Sequence, residues 1–423
     1  MKYSFKDIFD VSSGLSKKRS EFGMGSPFVS FKDVFGNPFL PDILSQLAKT
    51  DKKEQQRHSV EEGDLFLTRT SEKFEELAMS SVALKTYPEA TFNGFTKRLR
   101  LKPEYRDSFD IKYIAYFARS NIFRNQVLSM TTMSTRASLN NEMISRLFIS
   151  APSKNIQQII SAILYTLDSK IELNKQIIST LEELASTLFK RWFVDFEFPD
   201  ENGNPYKSSG GEMVDSELGE IPERFHVSML SEIAEIVGGG TPSKKIEEYY
   251  LDGKIPWITP KDLSINKDNF VGRGKVSITE LGLKKSSAKI IPKNSILFSS
   301  RAPIGYVAIA KNEVCTNQGF KSLVPNNEIP FQFIFLFMKN NISKIESIAT
   351  GSTFKEISGS AMKSYKLVLP VEELLKHFDT ATIALFGKID KCEEENRKLI
   401  RLRDALLPKL LSGEIEIPQS EDV

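Results

Sequence analysis

Leu181-Glu182-Glu183-Leu184-Ala185-Ser186-Thr187-Leu188 returns, 218 positions later, as Leu399-Ile400-Arg401-Leu402-Arg403-Asp404-Ala405-Leu406. In both copies the leucines step by three and then four, the spacing of one helical face. The same shift holds upstream. Leu167, Lys170 and Ile171 match Leu385, Lys388 and Ile389; Pro152 matches Pro370; Ser134-Thr135 matches Ser352-Thr353. A period this long, present only twice, points to two similar halves rather than a solenoid. Two halves in one chain imply a pseudo-two-fold axis, suited to a near-two-fold partner such as duplex DNA or a pair of identical subunits.

The repeat thins out towards the start of each copy. Pro27-Phe28-Val29-Ser30 and Lys32-Asp33-Val34 resemble Pro256-Trp257-Ile258-Thr259 and Lys261-Asp262-Leu263. Leu65-Phe66 with Arg69 resembles Leu297-Phe298 with Arg301, and Gly94-Phe95 resembles Gly319-Phe320. A retained scaffold with a diverged surface accounts for both densities of matching.

Two long helices are predicted, each opened by its proline. The first carries Ile160, Leu167, Asn174, Leu181 and Leu188 on one heptad position and Leu164, Ile171, Ile178, Ala185 and Trp192 on another. From Asn155 to Phe193 it would run roughly 55–60 Å. The second carries Phe378, Leu385, Ile389, Leu399, Leu406 and Leu410, with Asn396 and Arg403 as polar members of the seam. Its expected end is a break or kink at Pro408 and a stop at Gly413. Each seam is too apolar to face water, so the two copies are expected to pack antiparallel, with Asn174 and Arg403 setting register or meeting a partner. The fold class is mixed α/β. Expected segments are an α/β domain over 1–148, a long helix over 149–196, a polar linker over 197–225, a second α/β domain over 226–366, a second helix over 367–413 and a tail over 414–423.

Composition narrows the function. The chain has 423 residues, 40% hydrophobic and 26% charged, which fits a soluble globular protein of several domains. The sequence after Met1 holds no apolar signal region, and the apolar run near Phe333 to Met338 is too short to cross a bilayer. Two cysteines without partner spacing fit a reducing cytoplasm, and three scattered histidines form no metal-ligand cluster. A net charge of +2 is low for a protein that holds DNA through many phosphates alone. Either nucleic acid is not the ligand or another subunit supplies positive surface.

Catalytic patterns are missing. Asn37-Pro38-Phe39 lacks the second proline of an adenine methyltransferase motif. Gly238-Gly239-Gly240-Thr241-Pro242-Ser243-Lys244 lacks the Gly-Lys-Ser/Thr ending of a P-loop. Pro41-Asp42 with Asp51-Lys52-Lys53 fits a Mg-dependent nuclease only loosely. The chain reads as a reader of DNA rather than a catalyst, with no catalytic residue and no metal site.

The candidate DNA-contacting residues are basic or hydroxyl-bearing. In the first domain they are Lys17, Lys18 and Arg19 in a polar loop, Thr68 and Arg69 at a strand end, and Arg98, Arg100 and Lys102 on one face of a strand. In the second they are Lys244, Lys245, Lys261, Arg273, Lys275 and Arg301. Arg69 and Arg301 share either a DNA-contacting role or a structural salt bridge.

Several stretches together carry a family resemblance. They are Leu184 to Phe196, Gly239-Gly240-Thr241-Pro242-Ser243, Ile255 to Leu263, and Arg403 to Ile415. With these the chain resembles the specificity subunits of type I restriction–modification systems over nearly its whole length. The resemblance implies two target recognition domains, each reading half of a bipartite site on double-stranded DNA. It implies two helices that space them as an antiparallel coiled coil. It also implies two modification subunits carrying S-adenosylmethionine and two restriction subunits using ATP and Mg, with no cofactor in this chain and a cytoplasmic, non-membrane setting. The first domain departs from the pattern: Ser12-Ser13-Gly14-Leu15-Ser16 stands where the Gly-Gly-Thr-Pro-Ser opening is expected, and the Arg301-to-Gly305 sequence has no counterpart. A nuclease or methyltransferase acting alone is the alternative, disfavoured by the missing motifs. A coiled-coil adaptor is disfavoured by the two diverged globular copies.

Overall fold

The computed structural model describes residues 1–71, 76–130, 137–301, 303–351 and 355–417. Ser134-Thr135, Ser352-Thr353, Ala302 and the 418–423 part of the tail lie outside the described residues. The chain forms two compact units. One is Met1–Ile171 with Lys398–Val423, the other Glu172–Arg397. Each therefore holds one α/β domain and a segment of both long helices, so the unit boundary runs through the helices rather than at their ends.

The first long helix spans Lys154–Phe193, with Lys190 and Arg191 in its last turn opposing the exposed carbonyls there. The second spans Glu372–Ser412 and starts with Glu372 and Glu373, the favourable sign for a helix N-terminus. It passes through Pro408 without breaking, against expectation. The proline removes one N–H in the final turn, where packing on the first unit's core by Leu406, Leu407 and Leu410 holds the backbone in place. Gly413, at φ +77°, ends it.

In the first unit, Phe9–Ser13, Thr96–Leu101, Leu65–Thr68 and Ser80–Val82 form an antiparallel sheet in that spatial order. A smaller sheet joins Leu47–Ala48, Phe22–Val29 and Thr91–Phe92. Lys2–Ser4 pairs with Phe148–Ser150, bringing the two ends of the domain together. The second unit repeats this plan. Its main sheet runs Ala234–Gly238, Lys321–Pro325, Ile296–Ser300, Ile304–Ala310 and Phe270–Val271. Its smaller sheet joins Val276–Ile278, Ile255–Ile258 and Cys315–Thr316, and His226–Met229 pairs with Lys366–Leu369.

Hydrogen bonds align the two copies more finely than letters do. Phe28 and Trp257 hold equivalent places, paired with Thr91 and Cys315 in parallel strands. The equivalence of Lys32-Asp33 with Lys261-Asp262 follows. Elsewhere the letter match is off by one. Leu65 pairs with Leu99 where Ile296, not Leu297, pairs with Leu323. The Arg69 N–H donates to the Phe95 carbonyl at 2.7 Å as the Ser300 N–H donates to that of Gly319 at 2.8 Å. Arg69 is thus equivalent to Ser300, Thr70 to Arg301, and Phe95 to Gly319.

Within each unit the helix segments run antiparallel. In the second, Asn174 Nδ2 donates to Asn396 Oδ1 at 3.0 Å and Glu395 Oε2 at 2.8 Å, while Phe378 meets Phe193 with ring centres 4.9 Å apart. In the first, Arg403 Nη1 reaches Asp168 Oδ1 at 2.7 Å, and Leu410 shares a core with Ile160 and Leu164. Ile171 and Ile389 are buried; Leu167, Ile178, Leu181, Leu188, Leu385, Leu399 and Leu406 are partly buried along the same faces. Leu184 and Leu402, equivalent by the 218-residue shift, instead point outward at 51% and 48% exposure.

Polar contacts fasten each domain to its helices. The Tyr116 hydroxyl donates to Asp168 at 2.8 Å in the first unit. In the second, Lys311 pairs with Asp390 at 2.6 Å and Arg397 with Asp268 at 2.6 Å. The 197–225 stretch is folded rather than a plain tether. Phe198 stacks on Tyr206 and Phe225, and Met213–Ser216 pairs with Gly219–Pro222 across a turn.

Candidate DNA interface

In each domain one loop cluster collects at a crossing that only glycine allows. A Cβ on Gly14 would lie 2.1 Å from the Asn93 carbonyl oxygen, and one on Gly239 would lie 1.9 Å from that of Asn317. In both, the asparagine side chain turns back and accepts a backbone N–H two residues on, from Phe95 at 2.9 Å and from Gly319 at 3.0 Å. Beside each crossing sits a short helix with a reciprocal cap. Asp33 Oδ2 accepts from the Ser30 N–H and hydroxyl at 2.8 and 2.7 Å, and Asp262 Oδ2 from the Thr259 pair at 2.8 and 2.6 Å. These caps hold Lys32 and Lys261 at the second helical position, both exposed.

The second domain keeps its candidate cations on the surface. Lys244 and Lys245 follow Pro242, whose carbonyl accepts the Tyr250 hydroxyl at 2.6 Å. Asp262 organises the next group. Its Oδ1 accepts the Lys275 N–H at 2.8 Å while Gly274 presses against the Trp257 carbonyl, so Arg273 and Lys275 flank the same carboxylate as Lys261. All five cations are exposed. The Thr241 hydroxyl donates to exposed Gln318, placing an amide between them. Arg301 is committed elsewhere: its Nη1 lies 3.2 Å from Glu356 Oε2, and Lys321 shares that carboxylate at 3.3 Å. Of its two readings in the sequence, the ion pair is the one observed.

The first domain is arranged differently from expectation. Arg100 is gripped by Asp64 through Nε and Nη2, each at 2.7 Å, and by Glu61 at 2.5 Å. Arg98 is buried, and its Nη1 donates to the Ser59 carbonyl at 2.6 Å. The strand stops at Leu101, and Lys102 folds back onto the carbonyls of Lys6 and Asp7. Their donors are spent inside the domain, so this strand offers no row of free cations. Lys17 is likewise paired with Glu54 at 2.7 Å. The Thr68 hydroxyl is buried and accepts the Met79 N–H at 2.9 Å. Lys18, Arg19 and Arg69 remain exposed. Buried Lys97, bonded to Ser13 and Asn141, is held below the usual lysine range by burial and by nearby Arg69. Lys32, Phe95, Thr241 and Gln318 were not among the sequence candidates. The Lys32–Lys261 match was visible in the repeat, whereas the other three carry no signal outside the turn that presents them.

The family model described as the type I restriction modification DNA specificity domain matches residues 1–183 and 222–391. The chain belongs to this family. Over 193 residues the specificity subunit is 39% identical to that of the type I restriction enzyme MjaIX of Methanocaldococcus jannaschii, a match spanning 45% of this chain and 44% of that one. In that comparison the chain spans less than half the length of its relative. Against the HindI specificity subunit of Haemophilus influenzae, identity is 25% over 96% of this chain and 98% of the other. The crystal structure of a type I restriction-modification S subunit from M. genitalium superposes with a TM-score of 0.61 at 18% identity, covering 97% and 95% of the two chains, and so shares the fold. No helix among the described residues is long and apolar enough to cross a membrane, and no metal-holding group of side chains occurs among them.

Proposed function

We propose that the two domains of this specificity subunit each read one half of a bipartite sequence on double-stranded DNA, through the loop clusters around Asn93 and Asn317. One observation carries this reading. The buried framework is repeated nearly bond for bond, while the exposed positions on it differ: Phe95 against Gly319, Gly94 against Gln318, and Lys18 and Arg19 against Lys244 and Lys245. Framework identity with surface divergence is what two readers of unlike half-sites need. Lys32 and Lys261 are proposed to touch phosphate, which positions the protein without carrying sequence information. Replacing residues 226–366 by the matching domain of a relative, in a complex with modification subunits, is expected to change one half of the methylated sequence and leave the other intact. Mapping of methylated adenines reads the result. A change in both halves would refute independent reading.

The remaining chemistry is assigned to partners in the cytoplasm. S-adenosylmethionine on modification subunits and ATP with Mg on restriction subunits would supply methyl transfer and cleavage, and a near-neutral specificity subunit leaves part of the phosphate neutralisation to them. Two modification subunits would dock on the long helices at Leu184 and Leu402, the equivalent outward leucines. Each single charge substitution, Leu184→Glu or Leu402→Glu, is expected to remove one modification subunit, and the pair to remove both. Mass photometry counts them. Full assembly by the double variant would move the docking site elsewhere.

A further inference from the structure

We infer that Phe95 is a specificity-determining residue of the first domain, pressing its ring on base edges in the half-site that this domain reads. The inference rests on the proposed DNA-reading function and adds a named contact to it. Phe95 is 63% exposed at the tip of a turn. Large apolar side chains are normally exposed on flexible tips, but this backbone is pinned on every side. The Phe95 N–H donates to Asn93 Oδ1 at 2.9 Å, its carbonyl accepts the Arg69 N–H at 2.7 Å, and the preceding Gly94 N–H donates to the Leu15 carbonyl at 2.7 Å. Gly94 cannot carry a side chain without striking Ser16 Oγ, at 2.7 Å from its Cβ position. The turn is thus a rigid mount for one aromatic ring.

Its surroundings fit a nucleic-acid ligand. Arg69, bonded to Phe95 through the backbone, is exposed, and so are Lys18 and Arg19 on the loop that carries Leu15. An apolar ring framed by cations suits an anionic backbone with apolar base edges behind it. Such rings contact thymine methyl groups or wedge at a base step. In the second domain the same two backbone bonds end on Gly319, which has no side chain. That domain offers Gln318 at the neighbouring position, an amide able to hydrogen-bond a base. The two domains therefore differ in kind of readout at one matched place, apolar in the first and polar in the second.

The test uses this chain assembled with its modification subunits and compares wild type with Phe95→Gly and Phe95→Leu. Competition gel shifts with duplexes altered at single positions, together with methylated-adenine maps, give the readout. Phe95→Gly is expected to lose about tenfold selectivity at one or two adjacent positions of a single half-site. Phe95→Leu should retain part of it. The half-site that moves when 226–366 is exchanged should be untouched, and affinity for unrelated duplex should stay the same. Unchanged selectivity in Phe95→Gly would overturn the assignment, as would an equal loss in both half-sites with a lowered melting temperature, which marks a folding defect. Failure of the wild-type complex to prefer any sequence would overturn the DNA-reading function and the role of Phe95 with it.

Discussion

Phe378→Ala is expected to destabilise the second unit by about 3–5 kcal/mol, the cost of emptying a large aromatic site in a close-packed core. Phe378 is fully buried on the second helix, and three rings of the first helix surround it: Phe189 at 6.2 Å, Trp192 at 5.8 Å and Phe193 at 4.9 Å between centres. Phe333 from the domain's own buried helix touches Phe189 and Phe193 at 5.6 and 5.1 Å. One ring thus joins both helix segments to the domain. No polar atom lies nearby to recruit water into the void, so the lost contacts are not replaced. For a unit of this size the loss corresponds to a fall of roughly 10 °C in melting temperature. Hydrogen exchange should show the opening in Glu172–Arg397 and leave the amides of Leu65–Thr68 protected. A loss below about 1 kcal/mol, the range of exposed positions, would mean that the aromatic cluster does not hold the unit together.

That cluster was half legible in the sequence. Heptad spacing exposes a helical seam because it needs only local periodicity, and so the places of Ile160, Leu164, Asn174 and Asn396 could be read directly. The contacts across the seam could not. Asp168 and Arg403 are 235 positions apart and nothing local announces their pairing. The same limit explains the basic strand. Arg98 and Arg100 look like a free cationic face until Asp64, Glu61 and Ser59, some forty positions upstream, are brought beneath them. Repeat matching failed in a different way. Both copies contain Leu-Phe and Gly-Phe pairs, and those letters align best one place away from where the hydrogen bonds align. A hydrophobic strand tolerates either letter at either place, whereas a backbone ladder has one register. The shift matters at the site, because it sets the exposed Phe95 against a glycine and the exposed Arg69 against a serine.

Glu393 was invisible to every sequence pattern, lying in a run of three glutamates that reads as a solvated helix face. It is buried, and its carboxyl caps the edge of the second domain: Oε1 accepts the Asn269 N–H at 2.6 Å and the Asn269 amide at 3.1 Å, and Oε2 accepts the Phe270 N–H at 3.0 Å. Glu393→Ala strands two buried main-chain donors and should cost about 2–5 kcal/mol. The pH dependence distinguishes how the carboxyl does this. Burial pushes it up to about 7, with the Asp268 charge adding to the push and the Asn269 and Phe270 donors opposing it. Around it Asp268 is paired with Arg397 at 2.6 Å, and Glu182 lies 3.6 Å from Lys339, so the neighbouring charges are largely matched. A carboxyl raised in the folded state holds its proton there while the unfolded chain has already released it. The folded form then binds more protons between the ordinary glutamate range and about pH 7, and stability falls as pH rises across that interval. The stability gap between wild type and Glu393→Ala should therefore be widest near pH 5, shrink towards pH 7 and stay level above it. Urea unfolding at pH 5, 6, 7 and 8 measures the gap. A gap that widens with rising pH would show that the three donors outweigh burial and hold Glu393 as a carboxylate.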